Sequence, residues 1–267
     1  MPPAAKPTVD LAVSTLAKLL TRYGGDLVTG LHLVGSMADG DFRPGRSDLD
    51  FVAILSRPPT DLDSEALGII HRSYGTDPTF PKLDGIWLTE ADLSAGPDAV
   101  ADGPTSVEGS FRARARGNRN PVTWVSLQRS VAIIGELDRT VLWQDRDRLR
   151  AWVKDNAATY WRRWHQRTSG SGLPGLAMLG RAAPMWGVLG IARLHYTVST
   201  GEIASKSTAG GWALETFDGQ YRKIVEEALA FRRGAASAYR NPFVRRRDAL
   251  AFVGMAIEAV TDEPLAQ

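Results

Sequence analysis

The chain has 267 residues, 43% hydrophobic and 23% charged, an ordinary globular composition with room for one large or two modest domains. The absence of cysteine excludes a disulfide framework and thiolate metal ligands, and no apolar run approaches the ~20 residues of a membrane helix. The net charge of +2 is unevenly shared: residues 1–145 hold 14 Lys/Arg against 19 Asp/Glu, the remainder 18 against 11. An acidic half followed by a basic half suits a nucleoside triphosphate held by both, or simply a basic solvated face on the second half. Met1-Pro2-Pro3-Ala4-Ala5-Lys6-Pro7 lacks the apolar core of a signal peptide, so the expected location is cytoplasmic.

In chain order, residues 8–23 space Val9, Leu16, Leu19 and Leu20 as an amphipathic helix stopped by Gly24-Gly25. Leu31 to Val34 reads as a buried strand. Gly35-Ser36 breaks it, and a loop rich in Gly, Asp and Pro is expected to follow. Leu49 to Leu55 is a second apolar strand with Asp48 and Asp50 at its start. Side chains two apart on a strand share a face, so these carboxylates lie side by side. Two such groups repel unless a cation sits between them, and hard oxygen donors suit Mg²⁺ carried in with a substrate's phosphates. Gly35 lets the backbone approach a phosphate closely, and Ser36 and Ser47 can donate hydroxyl hydrogen bonds to it. The alternative is that the two acids merely cap a strand and Gly35-Ser36 is an ordinary turn, although β-propensity disfavours Asp-x-Asp in that place.

Gly35-Ser36, eleven residues, then Asp48-Leu49-Asp50 resembles the hallmark of the polymerase-beta-type nucleotidyltransferases. Leu31-His32-Leu33-Val34-Gly35-Ser36 with Asp39-Gly40 and Pro44 through Asp50 further resembles the streptomycin/spectinomycin adenylyltransferases. That resemblance implies an N-terminal α/β nucleotidyltransferase domain and a C-terminal helical bundle, with ATP as co-substrate and two Mg²⁺ ions. It also implies a third carboxylate on the next strand, Lys82 to Leu88. Asp84 stands there where the relatives carry Glu, to hold metal or take the acceptor's proton; Glu90 and Asp92 are the nearby substitutes, and a turn role for Asp84 beside Gly85 is the bland reading.

Between the second and third strands, Asp61 to Tyr74 reads as a helix. Residues 94–121 are Gly-, Pro- and Arg-rich and read as a long mobile loop, with Arg112, Arg114, Arg116 and Arg119 on a lid or solvated segment. No nucleic-acid-binding module accompanies these arginines, so nucleic acid is not the expected partner. Asn120 to Gly135 reads as a helix and a last short strand. Asp145 to Asp147 is the expected boundary, giving domains 1–146 and 147–267.

Everything substantial beyond it reads as helical. Residues 149–168 form one helix whose Trp152, Tyr160, Trp161 and Trp164 are core, or else a flat wall for an acceptor ring or adenine. Gly170 to Gly175 is a flexible break. Pro184 opens a helix through Arg193 and His195 that ends before Gly201. Thr200 to Leu214, and Tyr221 with the helix after it, resemble the C-terminal domain of the same relatives. The resemblance gives Arg193 and Lys206 to the β- and γ-phosphates and Tyr221 to the nucleotide. Arg193, on a largely apolar face, requires a partner in any case. The four histidines read as structural, and Arg245-Arg246-Arg247 as a solvated face.

The implied reaction is transfer of AMP from MgATP to a hydroxyl of a small molecule by an enzyme expected to be monomeric. The drug-modifying relatives place acidic residues just before the phosphate-binding arginine's helix. Here no Asp or Glu occurs between Asp155 and Glu202, and that place reads Arg181-Ala182-Ala183-Pro184. Like charge in a cleft costs a polycation affinity, unless Asp98, Asp102 and Glu108 compensate. Adenylylation of another metabolite or a protein side chain, and nucleotide binding without catalysis, are the alternatives.

Overall fold

A computed structural model describes residues 5–263. The chain divides into two compact units, one ending at Gln144 and the other beginning at Asp145. No helix among the described residues is long and apolar enough to cross a membrane.

The first unit opens with α1 (Ala5–Gly24), which buries Ala12, Leu16 and Leu20 at four-residue spacing. It then builds a six-stranded sheet. β1 (Val28–Leu33) leads into a one-turn helix, α2 (Gly35–Ala38), and then β2 (Leu49–Leu55). The sequence predicts only irregular loop after β1; a single turn carries too few residues to show a periodicity. α3 (Asp61–Tyr74) starts at a reciprocal cap in which Thr60 and Asp63 satisfy each other's backbone N–H groups. β3 (Leu83–Thr89) and α4 (Glu90–Ala95) follow. The strand order is β5-β4-β3-β2-β1-β6, with β2 and β3 parallel and the other pairs antiparallel.

Both faces of the two central strands are buried, which is why they read as unbroken apolar runs. Phe51, Ala53, Leu55, Leu83 and Trp87 join Leu16, Leu20, Leu67 and Ile70 in one core. Val52, Ile54, Ile86 and Leu88 face the other way, onto Leu93, Trp124 and Leu127. By the two-residue alternation, Asp50 and Asp84 lie on this second face, ahead of its apolar residues.

The structure overturns the mobile loop expected over residues 94–121. Its centre is a hairpin, β4 (Gly103–Val107) and β5 (Ser110–Ala115), which extends the sheet, followed by α5 (Pro121–Leu127) and the edge strand β6 (Val131–Ile134). Glu108 and Gly109 form the two-residue turn, with φ of 49° and 78°, the all-positive geometry that matches strand twist. Two of the arginines expected on a lid are internal anchors. Arg119 is 3% exposed and donates to the carbonyls of Trp87 and Pro104 at 2.9 and 3.1 Å and of Ala115 at 3.2 Å. Arg116 donates to the carbonyls of Val100 and Pro97.

The second unit is helical. α6 (Arg146–Asn156), a π turn (Ala157–Trp161) and α7 (Arg162–Ser169) run on without a break, so the helix expected over 149–168 is longer and contains a wider turn. A short helix, α8 (Leu173–Ala177), begins inside the glycine break expected over 170–175 and runs past it. α9 (Ala182–Thr200) ends at Gly201, whose φ of 73° closes the helix. α10 (Lys206–Thr216), α11 (Arg222–Arg232) and α12 (Pro242–Asp262) complete the bundle. Its one fully buried carboxylate among the described residues, Glu227, accepts from Arg181, Ser237 Oγ and the Ala238 N–H. The arginine triplet is not a solvated face: Arg245 is buried on the carbonyls of Leu179 and Gly180, and Arg246 caps the end of α7 through Thr168, Ser169 and Gly170. Only Arg247 of the three is solvent-exposed, and it pairs with Asp248.

Because Arg119 ties β3, β4 and β5 together, Arg119→Ala should lower unfolding free energy by about 2–4 kcal/mol by leaving three carbonyls unmatched. Urea unfolding followed by circular dichroism measures it. A lid arginine would change nothing there.

Candidate active site

The site is built where the Gly35-Ser36 turn meets the starts of β2 and β3. Val34 N–H donates to Asp50 C=O at 3.0 Å, fixing the turn to β2. Gly35 has φ of +57°, and a Cβ there would lie 2.4 Å from Asp50 Oδ2. Glycine is therefore required twice, by its backbone angle and by the carboxylate pressed against its Cα. Beside it, Ser36 Oγ is buried with no hydrogen-bond partner, a donor aimed where protein supplies nothing.

Asp50 and Asp84 are direct partners in the parallel register of β2 and β3. Adjacent strands lie about 4.8 Å apart, so the two carboxylates share a face at neighbouring positions. Asp48 is two residues before Asp50, and its charge acts on Asp84. Burial raises the Asp84 carboxyl to about 6; the charges of Asp48 and Glu108 push the same way, opposed by hydrogen bonds from the Glu108 N–H and the Asn118 side chain. Asn118 Nδ2 donates to Asp84 Oδ1 at 2.6 Å. Ser47 stands at the end of a tight turn in which its Oγ accepts from the Arg43 N–H at 3.0 Å. Its hydroxyl proton is the group it can still offer an anion.

Two elements of this site are not evident from the sequence. One is Asn118, which lies in an irregular stretch and meets Asp84 34 residues away. The other is the Glu108-Gly109 turn, which reaches the start of β3 through the Glu108 N–H to Asp84 and the Gly109 N–H to Leu83 C=O. The alternation Phe111-Arg112-Ala113-Arg114-Ala115 after a Glu-Gly pair is the signal that could have revealed the hairpin. Glu90 and Asp92 are not substitutes for Asp84. They lie beyond the far end of β3, where Asp92 caps α4 through the Thr89 N–H at 2.8 Å.

In the helical unit, Arg193 Nε donates to Ala204 C=O at 2.9 Å. That bond draws the middle of α9 to the segment just before α10, whose first residue is Lys206 and whose cap is Ser205. Arg193 and Lys206 are thus brought near one another. Tyr221 instead packs edge-on against Phe252 at 5.6 Å. The four histidines serve packing: His71 bonds Ser106 Oγ, His195 accepts from Trp212, His165 meets Leu250 C=O, and His32 is buried in the sheet.

Residues 13–81, which hold Gly35, Ser36, Asp48 and Asp50, match the family model of the nucleotidyltransferase domain. Residues 169–257, which hold Arg193, Lys206 and Tyr221, match that of the aminoglycoside adenylyltransferase C-terminal domain. The chain is a nucleotidyltransferase resembling the aminoglycoside adenylyltransferases. The crystal structure of spectinomycin adenyltransferase AAD(9) from Enterococcus faecialis with ATP and spectinomycin shares its fold, with a TM-score of 0.69 at 15% identity over 95% of this chain and 100% of that one. No curated protein sequence matches the chain.

The donors of this nucleotidyltransferase fit a divalent ion that arrives with phosphates. Among the described residues no three acidic or histidine side chains cage an ion unaided, and Mg²⁺ demands no such cage, taking one or two carboxylates and substrate oxygens. The hydroxyl of Ser36 and the close approach permitted by Gly35 would supply the phosphate side of that arrangement.

Two outcomes are expected. Gly35→Ala should keep the fold but weaken ATP binding at least tenfold by displacing Asp50, as calorimetry would show. The pH dependence of stability tests Asp84: its folded-state proton affinity lies above the unfolded value of about 3.9, so its contribution is full below about pH 4 and is lost as pH rises through about 6. In metal-free protein, Asp84→Asn should therefore gain on the wild type across that window by on the order of 1 kcal/mol, a few degrees in Tm.

Proposed function

We propose that this nucleotidyltransferase transfers AMP from ATP to a hydroxyl of a small molecule and releases pyrophosphate. The observation that carries the proposal is the Asp50–Asp84 register pair with Gly35 pressed against Asp50 and the unmatched Ser36 hydroxyl beside it. The likeness to an adenyltransferase crystallised with ATP and spectinomycin supports ATP as the donor and a small-molecule acceptor.

Gly35, Ser36 and Ser47 would bind the phosphates by close backbone approach and hydroxyl donation. Asp48, Asp50 and Asp84 would hold two Mg²⁺, which when bound neutralise phosphate charge and polarise the α-phosphate. Arg193 and Lys206 would hold the β- and γ-phosphates, and Tyr221 the nucleotide. The acceptor oxygen attacks the α-phosphorus, the bond to the bridging oxygen of pyrophosphate breaks, and the hydroxyl proton passes to Asp84. A carboxylate can take the proton of an attacking hydroxyl as its oxygen bonds to phosphorus. Asn118 and the Glu108 N–H hold one face of it still, so that positioning and charge neutralisation supply most of the rate.

Asp50→Asn tests this reading without knowledge of the acceptor. Calorimetry should show Mg²⁺ tightening ATP binding at least tenfold in the wild type and not in Asp50→Asn, with the two proteins melting alike. Pyrophosphate release with an accepted hydroxyl compound should fall at least 10³-fold. Full activity in Asp50→Asn, or ATP affinity indifferent to Mg²⁺, would remove the proposal.

A further inference from the structure

The sheet of the first unit ends in two unlike edges, β5 and β6. β5 carries the exposed Arg112 and Arg114, and charges of this kind keep a sheet edge from pairing with another chain. β6 reads Val131-Ala132-Ile133-Ile134, with its first three residues exposed and neither a charge nor a proline among the four. One side of β6 pairs with β1, and among the described residues no strand lies along the other. Such an edge offers backbone N–H and C=O groups together with apolar side chains.

Beside this edge runs a groove of about 500 Å³. Val131 and Ile133, 46% and 36% exposed, line it from β6. α1 lines it with Asp10, Val13, Ser14, Ala17 and Lys18, a spacing that belongs to a single helix face. Charge and size on this helix are arranged about Ser14. Asp10 and Lys18, both exposed, stand four residues to either side of it, and the exposed Leu11 and the small Ala17 stand three to either side. Ser14 Oγ already donates to Leu11 C=O at 3.0 Å, so it can be covered without losing a hydrogen bond. Leu33 and Met37 complete the groove and belong to the core on the α1 side of the sheet, opposite the face that carries Asp50 and Asp84.

We propose that two copies of the chain join here, in place of the expected monomer. β6 pairs antiparallel with β6 of a second copy, and the two α1 helices pack antiparallel across the same two-fold axis. Continuing the sheet edge to edge sets both helices on one face of it, so that the two grooves open onto each other. Pairing centred on Ser14 places Asp10 against Lys18 of the second copy, and Leu11 against its Ala17. One surface is then complementary to itself in charge and in size, as a closed two-fold contact requires. The apolar edge alone would accept many strands; the order of charge along α1 selects a second copy of this chain. The contact leaves the Asp50–Asp84 face open and does not depend on the transfer reading.

Sedimentation velocity on the full chain without ATP reads the contact. The wild type should form a reversible dimer with a dissociation constant on the order of micromolar or tighter, as interfaces of ordinary size do. Ile133→Lys should be monomeric at about 100 μM, and so should Val131→Lys, a second variant at the more exposed position. Lys18→Asp should weaken the dimer about fivefold or more by setting acid against acid. Adding Asp10→Lys to Lys18→Asp reverses both charges and should return the affinity to within about twofold of the wild type, which the loss of a helix charge alone would not do. All of these positions are solvent-accessible, so circular dichroism should show every variant melting like the wild type. A wild type that stays monomeric at about 100 μM, assembly beyond the dimer, a dimer indifferent to both β6 variants, or no recovery in the charge exchange would overturn the proposal.

Discussion

The site in the first unit depends on a contact with no side chain on one half of it: the Asp50 carboxylate lying against the bare Cα of Gly35. Everything nearby is fixed by that approach. The Val34–Asp50 backbone bond holds the turn to the strand, the turn directs Ser36 Oγ inward, and the register of β2 with β3 brings Asp84 beside Asp50. Carboxylates are forced together here by the sheet rather than by attraction. The proton affinity of Asp84 is raised first by its burial and then by the charges of Asp48 and Glu108, a cost that a cation or a proton relieves.

The rest of the unit can be understood as support for that crowding. Two separate cores, one on each face of β2 and β3, keep the strands from shifting in register. The hairpin adds strands beyond β3 and brings its turn back over the strand start, so the acid that the sheet isolates also receives two hydrogen bonds. Arg119, buried under the hairpin, fixes its distance from β3 through neutral carbonyls. A cation held by backbone carbonyls in this way is a structural element, whatever its charge suggests.

How much of this is legible from the sequence follows from which signals are local. β2 and α3 are read to the residue because an apolar run and a reciprocal cap mark their limits. The Gly35-Ser36 and Asp48-Asp50 pairs are equally legible, since both sit where a strand ends or begins. The hairpin is not read, because the Gly, Pro and Arg content of residues 94–121 masks the short alternation of β5, whose Arg112 and Arg114 are exposed. Arg119, Arg245 and Arg246 are misread for a related reason: composition records their charge, while their burial depends on carbonyls remote in sequence. Asn118 carries no pattern, and only the folded chain brings it to Asp84.

The π turn at Ala157–Trp161 has a consequence for how this chain can vary. A turn of that kind holds one residue more than an α-helical turn and advances everything after it by about 100° around the axis. Tyr160, Arg162 and Arg163 are therefore exposed while Leu149, Val153, Ala157 and Trp161 are buried. Loss of a single residue there would let the helix revert to regular pitch and swing the whole aromatic edge to another side. Homologues differing by one residue in this short window would present altogether different surfaces from an otherwise unchanged bundle.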